Sequence, residues 1–290
     1  MERAQVAVQD AGGGVPMLCD LADLSSVRNF AAELQEKAPK LDVLCLNAGM
    51  SPSTKATVAG RTKDGFEECV GTNHLGHFLL ANLLQPHLAG CGGEGRLVVT
   101  ASGVHDPEQP GGNVRGEGGA TLGDLSGLGA LGAAVDGRDA TMVDGAIEYD
   151  GSKVYKDSKL CNVLFAREAH RRWAEGGIRT RAFNPGFIPA SGLFRAPRED
   201  NWLAATAFTV IAGLAGFAVP IEVGGARLAY AATASDTEMP AGSYFSSTTT
   251  GGRGATPADG FTDGTVSKEA SDDGKAVSLW ELSAALVGCQ

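Results

Sequence analysis

Leu41–Leu46 and Leu97-Val98-Val99 are apolar runs of strand length that scarcely alternate with polar residues. Only Asp42 interrupts the first. A strand without alternation is buried on both faces, which implies a parallel sheet covered by helices on either side. Asn47-Ala48-Gly49 closes the first run, and Ala101-Ser102 follows the second. In open sheets of this kind, ligands bind outside the carboxyl ends of the strands. These short polar endings are therefore the first places to look for chemistry.

The remaining pattern alternates strands with helices. Val15–Cys19, followed by Asp20 and Leu21, reads as a strand, and Asp23 or Ser25 caps a helix running to about Lys37. Phe66–Gln85 reads as a long helix stopped near Pro86. Residues 103–148 are Gly-rich and read as a long loop with at most a helical turn. Tyr155–Glu175 is a strong helix, Ile178–Asn184 is a strand stopped by Pro185-Gly186, and Lys275–Leu286 is the last helix. Together these give an α/β fold with a Rossmann-like doubly wound parallel sheet, read as a single domain over 1–290.

Composition narrows the function. The net charge of -10 repels phosphate backbones and argues against nucleic acid as a partner. Cys19, Cys45, Cys69, Cys91, Cys161 and Cys289 form no C-x-x-C pair and lie at no metal-ligand spacing. They read as reduced, mostly buried thiols with no metal among them. Trp202–Ile221 carries no charge and reaches the length of a membrane span. Its Ala and Gly content and Pro220 favour an apolar lid or a membrane-surface contact, an insertion over 196–225.

The chemistry centres on Tyr155-Lys156-Asp157-Ser158-Lys159. Tyr155 and Lys159, four apart, share one helix face. An ammonium beside a phenol lowers the phenol's pKa and readies it for proton transfer. Alone, the pair also fits an exposed helical pair. Asn47-Ala48-Gly49, Asn73 and Ser102, in that order, complete an Asn-Ser-Tyr-Lys set that resembles the short-chain dehydrogenase/reductase tetrad.

Longer stretches carry the resemblance further. They are Val70-Gly71-Thr72-Asn73-His74-Leu75-Gly76-His77-Phe78-Leu79-Leu80, Leu122-Gly123-Asp124-Leu125, Tyr155 through Asn162, Gly192-Leu193-Phe194-Arg195, and Ser267 through Asp272. In these the chain resembles the light-dependent protochlorophyllide reductases. The resemblance implies light-driven reduction of the protochlorophyllide C17–C18 double bond with hydride from NADPH, in a plastid. Tyr155 would donate or organise the proton, Lys159 would bind the nicotinamide ribose, and Asn73 would hold a water beside Lys159. Ser102 and Cys161 would face the pigment. Asp20, Leu21, Asn47, Ala48, Gly49, Pro185, Gly186 and Ile188 would line the cofactor. A thylakoid or envelope membrane surface and a homo-oligomer stay open as partners.

Each role has a plainer rival. Cys161 also fits a core cysteine, Asn73 a polar helix residue, Asp20 a strand-end cap, and His105 a solvated loop residue. After Pro185-Gly186 the chain reads Phe187-Ile188-Pro189-Ala190-Ser191. Phe187 stands where the family has Cys, Ala190 where it has a hydroxyl, and Pro189 removes a backbone donor.

The glycine-rich turn that cradles pyrophosphate is not found upstream. Met1–Gln9 resembles the helix that follows the family's second strand. Gly12-Gly13-Gly14 follows no strand. The sheet is therefore expected to lack its first βαβ portion. The complete protein is expected to carry roughly 40–60 further N-terminal residues. Two other readings remain open: a non-catalytic structural or pigment-associated protein, and a carbonyl- or retinol-type reductase working in the dark.

Overall fold

The computed structural model describes residues 2–109, 111–113, 119–131, 142–194, 218–247 and 254–289. Five strands form one sheet in the order β1 (Val43–Leu46), β2 (Gly95–Thr100), β3 (Ile178–Phe183), β4 (Tyr244–Ser247) and β5 (Phe261–Asp263). The first four run parallel, and β5 returns antiparallel to β4. The register pairs Leu46 with Val99 and Thr100 with Phe183, so the carboxyl ends of β1, β2 and β3 fall side by side.

Helix caps explain where the main helices begin. The Asp23 carboxylate accepts from the Ser25 and Ser26 backbone N–H groups and starts α2 (Leu24–Lys37), after the short α1 (Glu2–Asp10). Asp150 accepts from the N–H groups of Ser152 and Lys153 and starts α6 (Gly151–Trp173). His170, Arg171 and Arg172 sit in its last turn, where they oppose the helix dipole. Between β1 and β2, α3 (Glu68–Val70) passes through a π turn (Gly71–Leu75) into α4 (Gly76–Ala89). A short α5 (Ser126–Leu131) precedes α6, α7 spans Ile221–Thr233, and α8 spans Asp273–Val287.

The two faces of the sheet are covered differently. Leu97 and Val99 point into a large apolar cluster with α4, α6 and α8. There Trp280 meets Phe78 at 4.9 Å, Phe165 at 5.7 Å and Trp173 at 5.3 Å between ring centroids. Val98 and Phe183 point the other way, into a small cluster with Ala231 of α7, Phe245 and Phe261.

Several expectations need correction. Val15–Cys19 is not a strand: no described residue pairs with it, and Val15 and Leu18 are exposed. The strands that would join it to β1 are the ones expected to be missing, and β1 stands at the sheet edge with Cys45 exposed. Pro86 does not stop its helix, which runs on to Ala89, and Gly90 N–H donates to the Pro86 carbonyl. All six cysteines are free, but only Cys69 and Cys161 are buried. His105 is buried rather than solvated, bonded to the Ser102 carbonyl at 2.7 Å and accepting from Ser267 N–H at 3.3 Å. Most of the apolar insertion, residues 196–217, lies outside the described residues, as does Arg195. No helix among the described residues is long and apolar enough to cross a membrane.

Candidate active site

The carboxyl ends of β1 and β2 bring the expected residues together. Lys159, from the third turn of α6, donates its ammonium to the Thr100 carbonyl at 3.3 Å. It stands 5.7 Å from the centroid of the Tyr155 ring. From the strand side, Gly49 approaches closely: a Cβ there would sit 3.1 Å from Asn73 Oδ1 and 3.6 Å from Lys159 Nζ. Only a residue without a side chain leaves that gap open.

Asn73 holds its place by five contacts. Its Oδ1 accepts from Met50 N–H at 2.8 Å. Its Nδ2 donates to the Met50 carbonyl at 2.9 Å and to Ser158 Oγ at 3.0 Å, with Cys69 Sγ at 3.3 Å. The Asn73 carbonyl accepts from His77 Nδ1 at 3.1 Å. The π turn makes this reach possible, since it widens the helix by one residue at the point where the side chain must cross to β1. Ser158 closes the ring by donating to the Tyr155 carbonyl at 2.7 Å.

The electrostatics differ from expectation at Tyr155. Burial pushes the phenol well above its usual range, the nearby Cys69 thiol adds to the rise, and a hydrogen bond with Ser102 works against it. Lys159 does not acidify it here. Burial instead lowers the Lys159 ammonium itself, to about 8. The resting site thus holds a protonated phenol beside an ammonium that is readily neutralised. One turn away, burial lifts the Asp157 carboxyl to about 7 against the pull of Lys153. Lys153 reaches Asp157 at 2.6 Å, Asp144 at 2.9 Å and the Thr121 carbonyl at 2.9 Å, which ties the Gly-rich loop to α6.

The other expected residues fall around this centre in different ways. Asn47, exposed at the end of β1, accepts from Thr100 Oγ1 at 3.0 Å. Ala48 is exposed beside it. Leu21 is buried with its carbonyl against Gly76, and Asp20 is exposed, accepting from Ala22 N–H at 3.0 Å. Pro185, Gly186 and Ile188 follow β3, and Ile188 packs on Gly224 of α7. Cys161 is fully buried within the large cluster, and burial raises its thiol. Thr100, Ser158 and Met50 were not anticipated. Ser158 was within sight, three residues after Tyr155 on the same helix face. The Thr100 and Met50 contacts run through backbone carbonyls, which residue type does not reveal. Two open cavities, of about 190 and 180 Å³, lie elsewhere, around Thr180, Arg167 and Gly242.

Comparison with known proteins decides the family. Residues 2–114 match the short chain dehydrogenase family model. Protochlorophyllide reductase A of Triticum aestivum is 38% identical over 289 residues, covering 98% of this chain and 70% of that protein. The chain belongs to the protochlorophyllide reductase family. That places it among the NAD(P)-dependent oxidoreductases of the short-chain dehydrogenase/reductase superfamily. The Chlamydomonas reinhardtii protochlorophyllide reductase is 39% identical over 275 residues, but the chain spans only 64% of its length. Among solved structures, an uncharacterized protein of Mycobacterium paratuberculosis aligns with a TM-score of 0.64 at 29% identity, over 100% of this chain and 81% of that one. The NADPH-bound carbonyl reductase from chicken fatty liver aligns with a TM-score of 0.53 at 17% identity, over 84% of this chain and 79% of that one, a likeness of fold.

Proposed function

We propose that this chain is the catalytic part of a plastid enzyme that reduces protochlorophyllide to chlorophyllide with NADPH after the pigment absorbs light. The observation that carries the reading is the joint placement of Lys159, Tyr155, Asn73 and Gly49 at the ends of β1 and β2 in a chain 38% identical to such a reductase. The site's donors suit a nicotinamide nucleotide. Among the described residues the Lys159 ammonium makes one hydrogen bond, which leaves donors for ribose hydroxyls. Gly49 lets the end of β1 approach Asn73 and Lys159, and Gly186 lets the loop after β3 approach Val219 and Arg227.

When bound, NADPH would supply hydride for one carbon of the C17–C18 double bond. The chain's own residues then provide orientation and the proton. Tyr155, kept protonated by burial, is a proton store suited to reduction rather than abstraction. Lys159 would hold the ribose and would offer charge to the phenolate once the proton leaves. Asn73 fixes the Met50 segment against Lys159, and Ser102 holds the phenol by its hydrogen bond. Asp20, Leu21, Asn47, Ala48 and Gly49 line the nucleotide side. Pro185, Gly186 and Ile188 line the nicotinamide side. Cys161 supports the pigment side from within the core.

Illumination of the protein with protochlorophyllide and NADPH tests this. Chlorophyllide absorbance rising after each flash, and flat in the dark, is the expected result. Steady turnover in the dark selects a carbonyl-type reductase of the same superfamily, and no NADPH binding at all selects a non-catalytic role.

A further inference from the structure

Arg181 and Arg227 are both fully buried on the α7 side of the sheet, and they serve different neighbours. Arg181 binds the end of α7, donating to the carbonyls of Ala231 at 3.1 Å and Ala234 at 2.7 Å and pairing with Asp236 at 2.8 Å. Arg227 turns toward the loop after β3. Its Nη1 donates to the Pro185 carbonyl at 3.0 Å and its Nε to the Gly254 carbonyl at 3.0 Å. Its guanidinium lies 5.0 Å from the Phe261 ring. Burial lowers its pKa, the sign of a charge removed from water at a cost. An apolar residue would pack there more cheaply, so the charge is doing something that packing does not require.

The loop it touches is built for close approach. Gly186 has φ +90, and a Cβ there would lie 2.9 Å from Arg227 Nη1 and 2.7 Å from Val219 Cγ2. Asn184 Oδ1 accepts from Gly186 N–H at 3.0 Å, and Val219 N–H donates to the Phe187 carbonyl at 2.7 Å. The turn is thus held from three directions, and Arg227 links it to both α7 and Gly254.

We infer that Arg227 is the positioning residue for the Pro185–Phe187 backbone, fixing where that backbone meets the nicotinamide end of the cofactor. The inference rests on the proposed NADPH site, but the bracing of the loop is measurable without any cofactor. Three variants separate the roles: Arg227→Met, Arg227→Lys, and Arg181→Met as a control for losing a buried guanidinium on the same face. Hydrogen exchange of the segment 184–188 is read on the cofactor-free protein, together with the melting midpoint. NADPH affinity is then read by fluorescence titration.

Loss of one charge-assisted hydrogen bond to the loop is expected to speed exchange at 184–188 and weaken NADPH binding, each about tenfold, in Arg227→Met. Arg227→Lys should recover part of both. Arg181→Met should lower the melting midpoint while leaving both within about twofold. Equal effects of Arg227→Met and Arg181→Met on exchange and affinity would reduce Arg227 to a packing role and overturn the inference. Unchanged exchange at 184–188 in Arg227→Met would overturn it as well. An unsubstituted protein that binds no NADPH overturns the functional reading, and the cofactor half of this inference falls with it.

Discussion

The two faces of the sheet do different work. On the α4–α6–α8 side an aromatic cluster around Trp280 fills the space, and α6 carries Tyr155 and Lys159 on its opposite end. On the α7 side the described residues form a smaller apolar cluster, and two arginines are buried beside it. The contrast teaches that Tyr155 and Lys159 are anchored by close packing, whereas the loop after β3 is held by directional hydrogen bonds. Packing resists displacement in every direction. Hydrogen bonds fix a distance and leave the segment adjustable.

The largest expected effect comes from breaking the packed side. Phe78→Ala removes the ring that meets Trp280 and Phe165 and should cost about 4 kcal/mol of stability. Leu228→Ala, on the half-buried flank of α7, should cost roughly 1.5 kcal/mol. Denaturant titration checks both, and comparable losses would erase the distinction between the faces.

Next in size is the chemistry anchored there. Lys159→Met should lower turnover by about a hundredfold, since general acid catalysis and its electrostatic support supply a factor of this order. The melting midpoint should not fall, because the substitution removes a buried charge that water would otherwise hold. A Lys159→Met protein with normal turnover would remove the ammonium from the mechanism.

The remaining effect is on pH. Burial lowers His74 to about 3 and His77 to about 4. Both lie on the packed side, His74 against Ser283 at 2.8 Å and His77 on the Asn73 carbonyl. The unfolded chain binds protons to them from about pH 6.5 downward, and the folded chain does not. Stability should therefore fall as pH drops from 6.5 toward 4, by up to about 1.4 kcal/mol per pH unit for each histidine. Denaturation midpoints measured across that range, with His74→Phe as a partner variant, would sharpen the comparison.

The sequence disclosed the packed side far better than the braced one. Strands β1 and β2 announce themselves as apolar runs with polar endings, and the caps Asp23 and Asp150 need nothing beyond their own turn. On the other side, β4 and β5 are short and carry Ser and Thr, and α7 contains Gly224-Gly225, so periodicity gives them little voice. Val15–Cys19 has the composition of a strand, but a strand exists only when a neighbour completes its hydrogen bonds. The Tyr155–Lys159 spacing was legible, yet the direction of the phenol's shift was not. Spacing reports a nearby charge and says nothing of desolvation, which here is the larger influence. Arg227 belongs to no motif, and its role emerges from the Pro185 and Gly254 carbonyls that only the fold brings to it.

A crystal structure of the protein grown with NADPH tests the central claim most directly. The account requires the nicotinamide ribose against Lys159 Nζ at the end of β2, with the ring beside Gly186. Cofactor bound away from Lys159 and Gly49, with the β1 and β2 ends empty, would contradict it.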